Sequence, residues 1–220
     1  MKRSLTRFII SNVFGAHAPH IYLHFGGTSV LMLYEKNIPG FSKFKIMRYR
    51  WFIKRLTNLT NLKILIDTER LRPFLIDFGF DPEIISLKEY PWERILVEKK
   101  EHIGFNILFY LPYHRHESEK HIDWMYGKEY LDKMYELLDD NIFIVYGGAD
   151  MFNNVYPIID CYVKINRSPH NDRNRISKEC AYNNIPEKAF DVWRSDFKIG
   201  DIIDWINSLK KSGNSLQQKK

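Results

Sequence analysis

Short apolar runs alternate with amphipathic segments along most of the chain. The runs are rich in β-branched and aromatic residues, and several are apolar at nearly every position, as in strands buried on both faces of a sheet. They predict strands at residues 8–10, 21–23, 63–66, 106–110, 142–146 and 161–165.

Three other segments have the spacing of amphipathic helices. In residues 128–138, apolar side chains recur every three or four positions. Similar patterns cover residues 173–183 and residues 199–209. Strands that alternate with helices of this length predict an α/β fold, with a parallel sheet and helices on both of its faces.

A polar stretch at residues 90–104 indicates where the chain divides, because Pro91 lies near its start and a new predicted strand follows it. We therefore predict an N-terminal α/β half over residues 1–97 and a C-terminal half over residues 98–200. Residues 201–220 form the end of a helix and a basic tail. One six-stranded sheet is the alternative.

The composition is that of a globular protein. Of 220 residues, 45% are hydrophobic and 15% aromatic, which is enough apolar surface to disfavour disorder. We find neither a signal peptide nor an apolar run long enough to span a membrane. Cys161 and Cys180 are the only cysteines, so a disulfide scaffold is excluded and the reducing cytoplasm is the expected location.

The net charge of +6 is concentrated in the C-terminal tail and in residues 43–55, which carry six Lys or Arg and no acid. In that segment, cations are interleaved with aromatic residues, a composition that suits an anionic membrane surface or a nucleic-acid backbone. A helix would carry Phe44, Met47 and Trp51 along one side. Of these two partners we favour the membrane surface over nucleic acid; a core-facing helix with a cationic outer face is the alternative to both.

Three polar loops follow predicted strands, at residues 24–29, 147–150 and 166–173. Right-handed crossovers bring such loops to the carboxyl edge of a parallel sheet, where ligands bind. The last loop leads into a helix, so Ser168, Asn171 or Asp172 caps it, and the backbone N–H groups there favour an anion. Arginines at 167, 173 and 175 add positive charge. A capped surface helix is the alternative.

The spacing within this region resembles the donor-binding signature of the glycosyltransferase group 1 family. In that family a Ser precedes an acidic loop, a Glu follows on a helix, and a Gly-x-Pro comes after it. Ser168, Glu179 and Pro186 match that spacing. The resemblance implies a GT-B fold, with two Rossmann-like domains facing each other across a cleft that holds a nucleotide sugar.

The resemblance also implies roles for single residues. It implies that Glu179 binds the ribose of the nucleotide and that basic residues bind the diphosphate, while His24, in a His-Phe-Gly-Gly loop, faces the cleft. The implied donor-binding residues are Arg115, Lys120, Gly147, Ser168, Asn171 and Glu179, and the implied catalytic residues are His24 and Asp172. No metal or other cofactor is implied, and we do not favour a metal site built from His114, His116 and His121.

The expected function is therefore transfer of a sugar from a nucleotide-diphosphate sugar to a hydroxyl, metal-independent and with retention of configuration. One alternative is a degenerate GT-B protein that binds a nucleotide or a protein partner without catalysis. It is favoured by Asn171 in place of the family's first acidic residue and by the short N-terminal half. The sequence also departs from the family at Glu187, where an apolar strand is usual. A nucleotide-sugar epimerase and a basic nucleic-acid-binding protein are further alternatives.

Overall fold

The computed structural model describes residues 20–88, 92–111, 120–139, 141–146, 150–169 and 175–217. The chain divides into two compact units. The first unit comprises Met1–Asn37 and Ser42–Tyr90, and the second comprises Ile38–Phe41 and Pro91–Lys220. The strands that the structure describes form one parallel sheet in each unit, so the predicted α/β fold is confirmed, and these strands do not join into the alternative single sheet. The strand predicted at residues 8–10 lies outside the described residues.

The first unit is built on three parallel strands in the order β1-β2-β3. They are β1 (Ile21–Phe25), β2 (Leu62–Ile66) and β3 (Ile85–Leu87), with helices α1 (Gly27–Tyr34), α2 (Lys43–Leu56) and α3 (Arg72–Phe78). In the central strand β2, Leu62, Ile64 and Ile66 are fully buried and alternate with half-buried residues. One face of this strand therefore forms the centre of the unit's core.

Helix α2 begins at a polar cap and packs on that core through one side. The Ser42 hydroxyl accepts a hydrogen bond from the Lys45 backbone N–H at 3.2 Å, which satisfies one N–H of the first turn. Ile46, Ile53 and Leu56 are buried. The segment predicted as a core-facing helix or a membrane surface is thus a helix with a buried apolar side.

The second unit is built on four parallel strands in the order β5-β4-β6-β7. They are β4 (Asn106–Leu111), β5 (Asn141–Tyr146), β6 (Cys161–Asn166) and β7 (Glu187–Asp191), with helices α4 (Lys120–Tyr126), α5 (Lys128–Leu137), α6 (Arg175–Tyr182) and α7 (Ile199–Gln217). Every residue of β6 is buried. Helices α5 and α7 pack on one face of the sheet, and α6 packs on the other.

Strand β7 begins at Glu187, directly after Pro186, and is not among the strands that the apolar runs predict. Its sequence is mostly polar, and only Phe190 is buried. The strand forms because it pairs with β6 from Tyr162↔Glu187 to Asn166↔Asp191. Hydrogen bonds to β6 therefore stabilise this strand without an apolar sequence pattern.

Among the described residues, no helix is both long enough and apolar enough to cross a bilayer.

Gly127, between α4 and α5, tests this packing. Its φ of 75° is left-handed, and a Cβ there would lie 2.5 Å from Ile165 Cγ2. We expect Gly127→Ala to lower the free energy of unfolding by roughly 2–4 kcal/mol, through backbone strain and overpacking against β6. Gly200→Ala is the control, since a Cβ in α7 meets nothing within 4 Å and stabilises a helix by about 1 kcal/mol. Equal urea midpoints for Gly127→Ala and wild type would contradict this packing.

Candidate functional site

The carboxyl edge of the first sheet brings a histidine and a carboxylate together. His24 is the fourth residue of β1, and Asp67 directly follows the neighbouring strand β2. Since the two strands are parallel and paired through Phe25↔Ile66, their ends lie side by side. His24 Nε2 lies in contact with Asp67 Oδ1. A carboxylate only accepts hydrogen bonds, so Asp67 is placed to orient the imidazole by accepting one from its ring.

Gly26 makes room for this pair. A Cβ at Gly26 would lie 2.8 Å from Asp67 Oδ2, so a larger residue would displace the carboxylate. Gly26 is also the N-cap of α1, without a side-chain cap of its own. The His24 side chain is 44% exposed and that of Asp67 is 30% exposed. His24, predicted as the first residue of a loop, is instead in β1, where it forms an accessible pair with Asp67. Asp67 was missed, although an acidic residue directly after an apolar strand is the signal for it.

The second sheet opens at its carboxyl edge between β4 and β6. The ladder between these strands runs from Ile107↔Cys161 to Phe109↔Val163, whereas the β6–β7 ladder continues to Asn166↔Asp191. The first connection leads from β4 to β5 on one side, and the later one leads from β6 to β7 on the other. This reversal between adjacent strands is a topological switch point, where open α/β sheets bind ligands.

Asn166, the last residue of β6, lies at this opening and is 4% exposed. Its Nδ2 donates a hydrogen bond to Asp191 Oδ1 of β7 at 3.0 Å, which fixes the orientation of the amide. Its Oδ1 lies on the other side of the amide and has no hydrogen-bond partner among the described residues. A buried acceptor without a partner is costly, so a donor from a ligand or water suits it.

Ser168 is also at this edge, two residues beyond β6, and is 1% exposed. Lys120 is exposed and is the first residue of α4. The structure therefore places Ser168 beside the strand end, with its side chain buried, and Lys120 on the surface. Four predicted donor-site and catalytic residues lie outside the described residues: Arg115, Gly147, Asn171 and Asp172.

Arg167 is held within the fold instead of adding charge to an anion site. Its Nε donates to the Trp124 carbonyl at 2.6 Å, and its guanidinium forms an ion pair with Glu129. The guanidinium lies over the rings of Trp124 and Tyr130, with centroids 5.4 and 5.0 Å away. Burial lowers its pKa to about 10. Arg167 thus attaches the end of β6 to α4 and α5.

Glu179 is fully buried in α6. Its Oε2 accepts a hydrogen bond from the Tyr156 hydroxyl at 2.5 Å, and its Oε1 lies 3.3 Å from Arg175 Nε. Burial, followed by the hydrogen bond to Glu179, raises the pKa of Tyr156. The carboxylate expected to bind ribose is therefore enclosed, and it ties α6 to the turn that contains Tyr156.

Other features of this region bear on metal and cysteine chemistry. Among the described residues, no group of three or more His, Cys, Asp and Glu side chains could hold a metal ion. Cys161 and Cys180 are both buried. Burial raises the pKa of the Cys180 thiol, which keeps it protonated and unreactive.

The Glu179 contacts predict a stability effect. Glu179→Ala leaves the buried Tyr156 hydroxyl without its acceptor and opens a cavity, so we expect a loss of roughly 2–4 kcal/mol in the free energy of unfolding. Glu179→Gln, which keeps an acceptor, should lose less. Glu136→Ala, on the exposed side of α5, is the control and should change stability by under about 0.5 kcal/mol. Equal losses for Glu179→Ala and Glu136→Ala in urea denaturation would show that Glu179 does not tie α6 to the fold.

The chain matches no protein-family model, no curated protein and no solved structure. The likeness to the glycosyltransferase group 1 family rests on the residues that carry it, Ser168, Glu179 and Pro186.

Proposed function

We propose that the chain is a glycosyltransferase that transfers a sugar from a nucleotide-diphosphate sugar to a hydroxyl acceptor. The opening between β4 and β6 at the switch point of the second sheet is the observation that carries this proposal. In the sequence, β4 is followed by residues 112–119, which contain Arg115. Strand β6 is followed by residues 167–174, which contain Ser168 and Asn171. The segments that carry the family resemblance therefore leave one sheet at the same edge.

The donor would bind at this edge through its nucleotide and diphosphate. Its departure as a nucleoside diphosphate develops negative charge, which cations and backbone N–H groups stabilise. Arg175 is 47% exposed at the first residue of α6, and Lys120 is exposed at the first residue of α4. Arg115 and Gly147 complete the proposed donor site, with Asp172 as a catalytic residue, as the resemblance implies. Asn166 Oδ1 would accept a hydrogen bond from the donor.

His24 and Asp67 supply the proposed acceptor side. An imidazole held by a carboxylate is suited to hold or move a proton at a hydroxyl. The proposal includes the GT-B arrangement, in which the two carboxyl edges face each other across a cleft. Metal independence and retention of configuration belong to it as implications of the family resemblance.

A degenerate GT-B protein without turnover is the second candidate. Two specific observations favour it: the Glu179 carboxylate is enclosed by the fold, and the Arg167 guanidinium is paired with Glu129. The sequence predicts both side chains near the donor, but in the fold each contacts other protein groups. Such a protein would bind a nucleotide or a protein partner, using the same edge of the sheet.

A panel of nucleotide sugars separates these candidates. Thermal shift measures binding, and release of free sugar measures hydrolysis of the donor. Stabilisation together with sugar release supports the transferase, whereas stabilisation alone supports the degenerate protein. If no member of the panel stabilises the chain or is hydrolysed, the nucleotide-sugar proposal is wrong.

The donor contact of Asn166 can be tested with a matched pair of variants. Asn166→Ala and Asp191→Ala both remove the hydrogen bond between these side chains, but only the first removes Oδ1. We expect Asn166→Ala to weaken binding of the stabilising nucleotide sugar by roughly tenfold, the value of one neutral hydrogen bond, and Asp191→Ala by less than about twofold. Calorimetry measures both constants; equal effects of the two variants would remove Oδ1 from the donor site.

The role of the His–Asp pair predicts a loss of turnover. His24→Ala should lower kcat by roughly 10²-fold and Asp67→Asn by a smaller factor, because positioned proton transfer acts in the transition state. Donor affinity should stay the same in both. His20→Ala, at an exposed neighbouring histidine, is the control. Unchanged kcat in His24→Ala would exclude the pair from the reaction.

A further inference from the structure

Helix α2 has two apolar sides, and only one of them is explained by folding. Ile53 and Leu56 pack into the core of the first unit, and Ile46 is also buried. Phe44, Met47 and Trp51 are 65%, 60% and 58% exposed, and their spacing of three and four residues puts them on one stripe. At 100° per residue this exposed stripe lies opposite the buried side. Three large apolar side chains in one exposed stripe indicate a contact surface.

Cations border this exposed stripe on both sides. By the same helical geometry, Lys43 and Lys54 lie along one border, and Arg48 and Arg55 lie along the other. The Arg55 guanidinium sits over the Trp51 ring, 4.6 Å from its centroid. The helix contains no acidic residue. An apolar stripe between two cationic borders is complementary to a surface whose outer layer is anionic and whose deeper layer is apolar.

A groove of about 950 Å³ runs beside the stripe, between α2 and the ends of α1 and α3. Phe44, Met47, Trp51 and Phe78 are among the apolar side chains that line it, and the cations in its wall are Lys36, Lys43, Arg50 and Lys54.

The polar groups of this groove favour an anion. Arg50 Nε donates to the Met32 carbonyl at 3.2 Å, while its buried Nη2 has no hydrogen-bond partner among the described residues. The one acid in the lining, Asp77, accepts a hydrogen bond from the Tyr34 hydroxyl at 3.1 Å. A phosphate beside apolar chains fits this combination of charge and surface.

We propose that the exposed side of α2 docks on an anionic lipid bilayer. In this arrangement Phe44, Met47 and Trp51 enter the boundary between headgroups and acyl chains, and the bordering cations pair with lipid phosphates. A second copy using the same stripe would bring cations against cations, which repel. A nucleic acid would satisfy the cations but leave Phe44 and Met47 in water.

Sedimentation of the full chain with vesicles tests this docking. Vesicles of phosphatidylglycerol and phosphatidylcholine should carry the protein down at about 50 mM salt, and binding should be lost by about 500 mM, because salt screens the phosphate contacts. Vesicles of phosphatidylcholine alone should bind far less. Equal binding to both kinds of vesicle, or no binding to either, would overturn the proposal.

Variants at exposed positions separate the charge from the apolar stripe. Replacing Lys43, Arg48 and Arg55 with Gln should weaken vesicle binding by about fivefold for each cation removed. The charge-matched control replaces Lys133, Lys188 and Lys211, all exposed in the second unit, and should bind nearly as wild type. If both triple variants weaken binding equally, net charge alone is responsible and the docking surface is wrong.

The apolar contribution is tested by Trp51→Ser, with Trp193→Ser in the second unit as the control. Trp193 is 47% exposed, so the two changes remove similar exposed rings. Trp51→Ser should weaken vesicle binding by at least about tenfold, and Trp193→Ser should not. Unchanged binding in Trp51→Ser would overturn the proposal, as would a Trp51-dependent dimer in size-exclusion chromatography or tight, salt-sensitive binding to RNA or DNA in place of vesicles.

Discussion

Strand β6 is covered on both faces, and this burial fixes where polar chemistry can lie in the second unit. Its residues pair with β4 on one edge and β7 on the other, while helices pack above and below. Polar groups along such a strand would have to be desolvated, which is costly without partners. Apart from the buried Lys164, the polar side chains of this segment lie at the carboxyl end of the strand, at Asn166 and Ser168. The opening between β4 and β6 then gives these groups a place to meet a ligand.

The same cost explains why some residues expected at a ligand site belong to the fold. A buried charge needs a partner, and the fold supplies one for each. Tyr156 and Arg175 surround the carboxylate of Glu179, and Glu129 pairs with Arg167. The spacing of these residues in the sequence indicates a ligand site, but it does not show which protein groups their side chains contact. In the first unit, by contrast, the side chains of His24 and Asp67 are partly exposed, so a molecule in solution can reach them.

The sequence predicts a helix or strand of this structure when the interaction that stabilises it is local in the chain. Periodicity predicts the strands β2, β4 and β6 and the amphipathic helix α5, because the positions whose side chains are buried in these elements are apolar in the sequence. Strand β7 does not, since its stability comes from pairing with β6. Helix α1 begins at Gly27, inside the predicted polar loop 24–29, and Gly26 offers no side-chain cap that would indicate a helix start. The contact of His24 with Asp67 joins two residues 43 positions apart, and single-sequence patterns do not record such a contact.

The central claim is that the opening between β4 and β6 binds a nucleoside diphosphate group. Amide chemical-shift mapping of the ¹⁵N-labelled full chain, titrated with a panel of nucleoside diphosphates, tests it most directly. We expect saturable shifts confined to the carboxyl ends of β4 and β6 and to the start of α6, at Leu111, Asn166, Ser168 and Arg175, with the exposed stripe of α2 unchanged. Saturable shifts centred elsewhere, or none for any member of the panel, would contradict it.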